Sequence, residues 1–200
     1  MKKNIKEQKN KTTDFLFEVG MLAKTPRSGF FFLGSGEQSV AEHINRVCFI
    51  GFALANLAKD VDSSRVINMC LFHDLAEARV SDLNYVHQKY NKKDEEAAIK
   101  DLTSELPFGD KICTILHEYE KRESYESKLA KDADNLELIL SLKEQMDIGN
   151  TRARSWIASS VKRLKTKEGQ SLAESIIKTD SNQWWFGDKE DNWWVNRNKK

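Results

Sequence analysis

The chain has 200 residues, 32 basic and 31 acidic side chains, a net charge of +1 and 40% hydrophobic residues. This is the length of one ordinary domain with a full core. Near-balanced, interspersed charge leaves no electrostatic footprint for nucleic acid, and nine glycines and two prolines suit helices joined by short connections.

A polar, flexible lead is expected over residues 1–12, followed by a helix through DFLFEVGMLAKT. The loop PRSGFFFLGSGEQ carries Arg27, and Gln38 or Ser39 starts the next helix. Over 39–59 the series His43, Val47, Ile50, Leu54, Leu57 steps by four and three along one helix face. Over 63–79 Val66, Cys70, His73 and Glu77 do the same, with Asp74 one position around. VSDLNYVHQKYN reads as a loop, 92–106 and 108–122 as helices split at Pro107, and 126–148 as a long helix. In that long helix Asp134 borders the stripe Leu129, Ala133, Leu136, Leu140. TRARSWIASSVKRLKTKEGQSLAESIIKT reads as two helices broken at Gly169, and 181–200 as a tail holding four of the five tryptophans. Those Trp pairs are expected to pack on the core or on a second subunit. No segment carries a strand signal, so the fold class is all-α.

MKKNIKEQKNKTTD lacks the apolar stretch of a signal peptide, and FIGFALANLA is too short to span a bilayer. A cytoplasmic protein without a membrane partner is expected. Cys48, Cys70 and Cys113 are isolated and odd in number, which reads as buried free thiols rather than disulfides. His87 and His117 have no partner pattern and read as surface residues.

The chemistry concentrates in His43, His73, Asp74 and Asp134. Two imidazoles and two carboxylates form a ligand set for one divalent transition metal, Mn, Co, Fe or Zn, in preference to Mg or Ca, which favour all-oxygen shells. The groups sit on three separate stretches, so only helix packing can bring them together. Taken singly, each has a blander reading: a hydrogen-bonded core histidine, or, for Asp132, Asp134 and Glu137, an ordinary solvated helix face.

The order His43, then His73-Asp74 in FHDLAE, then Asp134 in KLAKDADNLE resembles the HD-domain superfamily of metal-dependent phosphohydrolases. PRSGF, HDLAEARVSDL and LHEYEKRESYESKLAKDADNLE are similar to its 5′-deoxynucleotidase branch, over roughly residues 14 to 150. The resemblance implies an HD-domain helical bundle over residues 13–180 with a metal site between helices. It makes His43, His73, Asp74 and Asp134 the metal ligands, and prefers Asp134 to Asp132 because the family ligand follows a small residue, here Ala133. It implies that Glu77 activates water, that Arg27 orients the phosphate and that Asp82 contacts the sugar or phosphate. Some relatives carry tryptophan directly after the arginine, where this chain has Ser28, and Phe30 is the stand-in that would favour a deoxy sugar. The expected reaction is removal of the 5′-phosphate from (deoxy)nucleoside 5′-monophosphates by an enzyme that forms a homo-oligomer, with a dimer suspected. The alternatives are hydrolysis of a triphosphate, cyclic or alarmone nucleotide, and a nucleotide-sensing module without turnover. Extra phosphates would need further basic side chains, and none cluster near the motifs in sequence.

Overall fold

The structure, a computed structural model, describes residues 2–187. Its helices are α1 (Lys2–Val19), α2 (Phe30–Leu33), α3 (Val40–Leu57), α4 (Ser63–Phe72), α5 (Glu77–Val80), α6 (Tyr85–Tyr90), α7 (Glu95–Thr103), α8 (Gly109–Lys121), α9 (Tyr125–Asp147), α10 (Ala153–Val161), α11 (Lys167–Lys178) and α12 (Gln183–Phe186). A 3₁₀ turn, Gly20–Ala23, follows α1. Among the described residues there is no strand, only an isolated bridge between Pro26 and Ser39.

The long helix α9 is the axis, and α3, α4, α8, α10 and α11 all pack on it. Leu129, Ala133, Leu136, Ile139 and Leu142 of α9 are almost fully buried, and each large aliphatic side chain so removed from water contributes roughly 1.5–3 kcal/mol. A helix enclosed on several sides buries its polar residues as well. Asp132, Asn135, Glu137 and Ser141 are accordingly buried, not solvated, and each must find hydrogen-bond partners. Helices α3 and α4 meet at Gly51, where a Cβ would lie 2.5 Å from Cys70 Sγ. That close approach fixes the spacing between the two helices that carry His43 and His73.

Several boundaries differ from the sequence expectation. The first helix begins at Lys2 and not near Asp14, because KKNIKEQKNK is rich in good helix formers. The helix expected over 63–79 stops at Phe72: His73 is its C-cap, and His73–Ala76 form a turn before α5. The stretch expected as a loop over 80–91 contains α6, capped by Asn84, whose side chain accepts from the amides of Val86 and His87. The C-terminal break falls at 162–166 and not at Gly169, which sits inside the first turn of α11. Cys70 is buried, but Cys48 is only partly so and Cys113 is exposed, contrary to the expectation of three buried thiols. Leu57 is exposed at the end of α3. His87 and His117 are exposed, as the sequence suggested. Trp184 is 85% exposed and does not join the core; Trp193 and Trp194 lie outside the described residues.

Candidate metal centre

Ser39 starts α3 with a capping box: its hydroxyl accepts from the Glu42 amide, and the Glu42 carboxylate accepts from the Ser39 amide. This fixes the first turn, and one turn later His43 points into the bundle, fully buried. The turn after α4 delivers His73 and Asp74, and α9 delivers Asp134. Donor atoms of His43, His73 and Asp134 lie within 4.8 Å of one another. Asp74 Oδ2 is 3.3 Å from His73 Nε2 and 3.6 Å from His43 Nε2. All four residues expected from sequence therefore converge.

The hydrogen bonds on the far sides of the rings determine what this cluster can hold. His43 Nδ1 lies 2.6 Å from Glu137 Oε2, and His73 Nδ1 lies 2.8 Å from the Cys70 carbonyl oxygen. Both partners only accept, so each Nδ1 carries the proton, and each neutral ring presents an Nε2 lone pair. Those two Nε2 atoms face one another at 3.3 Å, with Asp134 Oδ1 3.2 Å from His43 Nε2. Converging lone pairs and carboxylate oxygens repel unless a cation lies among them. The donor set thus fits a divalent cation with mixed nitrogen and oxygen ligands.

The electrostatics agree. Burial and Arg27 push the His43 pKa down, but hydrogen bonds to Asp134 and Glu137 outweigh them and raise it to about 9: with no metal bound the carboxylates draw a proton onto this ring, and the ring is neutral with its Nε2 lone pair free when a metal ion takes that proton's place. Burial pushes Asp74 and Asp134 up, yet His73 beside the first and Lys131 beside the second hold both well below the usual carboxylate range.

Around this cluster lies the rest of the predicted machinery. Arg27 Nη1 is 3.3 Å from Asp74 Oδ2 and 4.0 Å from Asp82 Oδ2. Asp82 also accepts from the Ser28 amide at 2.9 Å, so it anchors the loop that carries Arg27. Ser81, at φ 64°, turns the chain out of α5 towards Asp82. Arg27, Phe30, Asp74, Asp82 and Asp134 line one cavity of about 1310 Å³. Glu77 stands behind Asp74. Burial first, then repulsion from Asp74 and Asp82, raise its pKa to about 7. Its Oε1 receives Lys93 Nζ at 3.1 Å, and its Oε2 is buried without a hydrogen-bond partner.

Two contributors to the site are not apparent from the sequence. Glu137 orients His43 and is itself held by Arg46, Gln38 and Ser141; its spacing of three from Asp134 on the buried side of α9 was the available signal. Lys93 pairs with Glu77 from 16 positions away, in a segment with no motif. Asp132, the alternative ligand, is fully buried but has other partners: it accepts from Lys165 N, Thr166 N and Thr166 Oγ1 and so holds the turn that leads into α11.

A helical bundle that turns two imidazole lone pairs and two carboxylates towards one point defines a protein built to hold a divalent metal ion. The family model described as HD domain matches residues 19–176, and the chain belongs to that family. It is 32% identical to the 5′-deoxynucleotidase HDDC2 of Bos taurus over 146 residues, covering 70% of each chain. It is 30% identical to the 5′-deoxynucleotidase HDDC2 of Homo sapiens, covering 70% of this chain and 71% of that protein. Among solved structures, a conserved hypothetical protein of Pyrococcus furiosus superposes with a TM-score of 0.70 at 28% identity, over 84% of this chain and 99% of that one.

Proposed function

We propose that the protein is a divalent-metal-dependent phosphohydrolase that removes the 5′-phosphate from nucleoside 5′-monophosphates, with deoxynucleotides preferred. The observation that carries this reading is the pair of Nε2 lone pairs converging at 3.3 Å beside Asp74 and Asp134, at the edge of a cavity that also holds Arg27. His43, His73, Asp74 and Asp134 are the ligands, for Mn, Co, Fe or Zn. When bound, such an ion neutralises charge on the phosphoryl oxygens and makes water more acidic.

The chain's own groups bind the phosphate and take the water's proton, which Glu77 can then return, through solvent, to the leaving 5′-oxygen. Arg27, pinned between Asp74 and Asp82, offers a planar guanidinium that stays charged and can bind a phosphate through two oxygens. Glu77 is the base for the attacking water, and Lys93 on its Oε1 fixes the carboxylate plane. Asp82 holds the Arg27 loop and faces the sugar end of the substrate. Phe30, partly buried at the start of α2, limits the room beside the sugar and favours the deoxy form. The names of the relatives support the sugar preference.

Among the described residues no helix is long and apolar enough to cross a membrane. Phe49 and Phe52, 70% and 54% exposed on α3, are consistent with pairing to a second copy of the chain, and sedimentation of the purified protein tests that pairing.

Phosphate release with each metal, measured across deoxy and ribo 5′-monophosphates, 3′-monophosphates, triphosphates and cyclic nucleotides, tests the assignment. Fastest release from 5′-monophosphates is expected. Preference for another class refutes the reaction, binding without turnover identifies a sensor, and equal rates on both sugars refute only the deoxy preference.

A further inference from the structure

The cavity is larger than its proposed substrate requires. Sites for small ligands span roughly 300–1,000 Å³, whereas this one measures about 1310 Å³, and its walls reach well beyond Arg27, Asp74 and Asp134 at the metal cluster. Lys128, Lys162, Arg163 and Lys165 line the same cavity. Lys128 lies within the KLAKDADNLE motif, but Lys162, Arg163 and Lys165 follow Asp134 by 28 or more positions, so the four form a cluster only when folding brings them to the same cavity.

Among the described residues none of these four cations has a carboxylate within 4.0 Å. Lys128 is half-buried, Lys162, Arg163 and Lys165 are exposed on the cavity wall, and Arg163 donates to the Tyr85 hydroxyl, so their charge is available to an anion in the cavity. The segment carrying three of them is also held in place. Leu164 is inserted into the core, and the buried Asp132 carboxylate accepts from the amides of Lys165 and Thr166 at 2.9 and 2.7 Å. Gly169 makes room for that carboxylate, since a Cβ there would lie 2.5 Å from Asp132 Oδ2. With Leu164 directed inward, Lys162, Arg163 and Lys165 are left on the cavity side. Tyr125 and Trp156 line the same cavity and offer ring surface suited to a base.

We propose that the substrate carries a second phosphoryl group, on the 3′ oxygen of the nucleotide, and that Lys128, Lys162, Arg163 and Lys165 hold it. The proposal rests on the 5′-phosphatase reading given above. It places the second phosphate on the 3′ side because the metal end is acidic. Asp74, Asp82 and Asp134 lie there with Arg27 and Lys131, both already ion-paired, so β and γ phosphates appended to the scissile group would enter a region without free cations. The 3′ phosphate has two sources, a nucleoside 3′,5′-bisphosphate or the first phosphodiester of a short 5′-phosphorylated oligonucleotide. The near-neutral charge of the whole chain speaks against a long duplex footprint and does not bear on four cations inside one cavity.

The test compares kcat/KM for 5′-phosphate release from thymidine 5′-monophosphate, thymidine 3′,5′-bisphosphate, 5′-phosphorylated dithymidylate and thymidine 5′-triphosphate, using the full chain with metal. A gain of about tenfold or more over the monophosphate is expected for the two 3′-phosphorylated compounds, shrinking as salt is added, the scale of one or two solvent-screened phosphate contacts. Lys162→Gln with Lys165→Gln should abolish the gain and leave the monophosphate rate within about twofold; Lys128→Gln, on a different element, should reduce it independently. A gain for both compounds means that a terminal 3′ phosphate suffices, and a gain for dithymidylate alone means that the second nucleoside is needed. Equal values for all substrates, a gain confined to the triphosphate, or equal loss on monophosphate and bisphosphate in the lysine variants overturns the proposal. If no 5′-phosphate is released, the phosphatase reading fails, and calorimetric binding decides separately. Tighter binding of the bisphosphate than of the monophosphate, lost in the double variant, upholds the second phosphate site, and equal binding refutes it.

Discussion

Asp132→Ala should destabilise the fold strongly while the folded fraction keeps its metal site. The carboxylate is fully buried and accepts from Lys165 N at 2.9 Å, Thr166 N at 2.7 Å and Thr166 Oγ1 at 2.6 Å. Thr166 is the N-cap of α11, and its hydroxyl accepts from the Gly169 amide. Alanine would leave two amides without an acceptor, and the hydroxyl can turn elsewhere. At roughly 1–3 kcal/mol for each buried donor left unsatisfied, the loss is about 4 kcal/mol, a large part of the 5–15 kcal/mol typical of a domain. Gly169→Ala should destabilise through the same carboxylate by crowding it, with no acceptor removed. Urea unfolding measures the stability, and elemental analysis of the folded fraction measures metal occupancy. An unchanged unfolding midpoint for Asp132→Ala, or a stable variant that has lost its metal, would refute the reasoning.

Asp134→Ala, which removes an oxygen 3.2 Å from His43 Nε2, should abolish metal binding; normal occupancy on elemental analysis would exclude Asp134 as a ligand. Glu137→Gln replaces the anion that holds His43 Nδ1, and metal affinity should fall about 10- to 100-fold, read by competition with a chelating dye. Because Glu77 must be ionised to take a proton and its pKa is raised to about 7 by burial and by Asp74 and Asp82, turnover should climb as pH rises through its titration. Lys93→Met removes the cation that opposes this rise, so the acid limb of the rate–pH profile should move to higher pH, and an unmoved limb would assign it to another group.

What the sequence showed of this site, and what it concealed, follow from one physical distinction. His43, His73 and Asp134 were legible because periodicity places each on or beside an apolar face, and such faces must turn inward together. Glu137 and Asp132 share α9 with Asp134, and from sequence the three carboxylates looked like one solvated face. The outcome is opposite because α9 is enclosed by helices on several sides, so each carboxylate finds its own partner: His43 for Glu137, the start of α11 for Asp132, and the metal cluster for Asp134. Enclosure is a property of tertiary packing and leaves no period in the sequence. The helix break at His73 was hidden for a related reason. The 3.6-residue pattern runs unbroken from Val66 to Glu77, yet His73 Nδ1 donates to the Cys70 carbonyl, and the chain turns so that His73 and Asp74 can both reach His43. A straight helix would point consecutive side chains about 100° apart, too far for both to meet one ion. Placing the adjacent pair in a turn lets two neighbouring residues serve one centre, and α5 then begins afresh with Glu77 behind them.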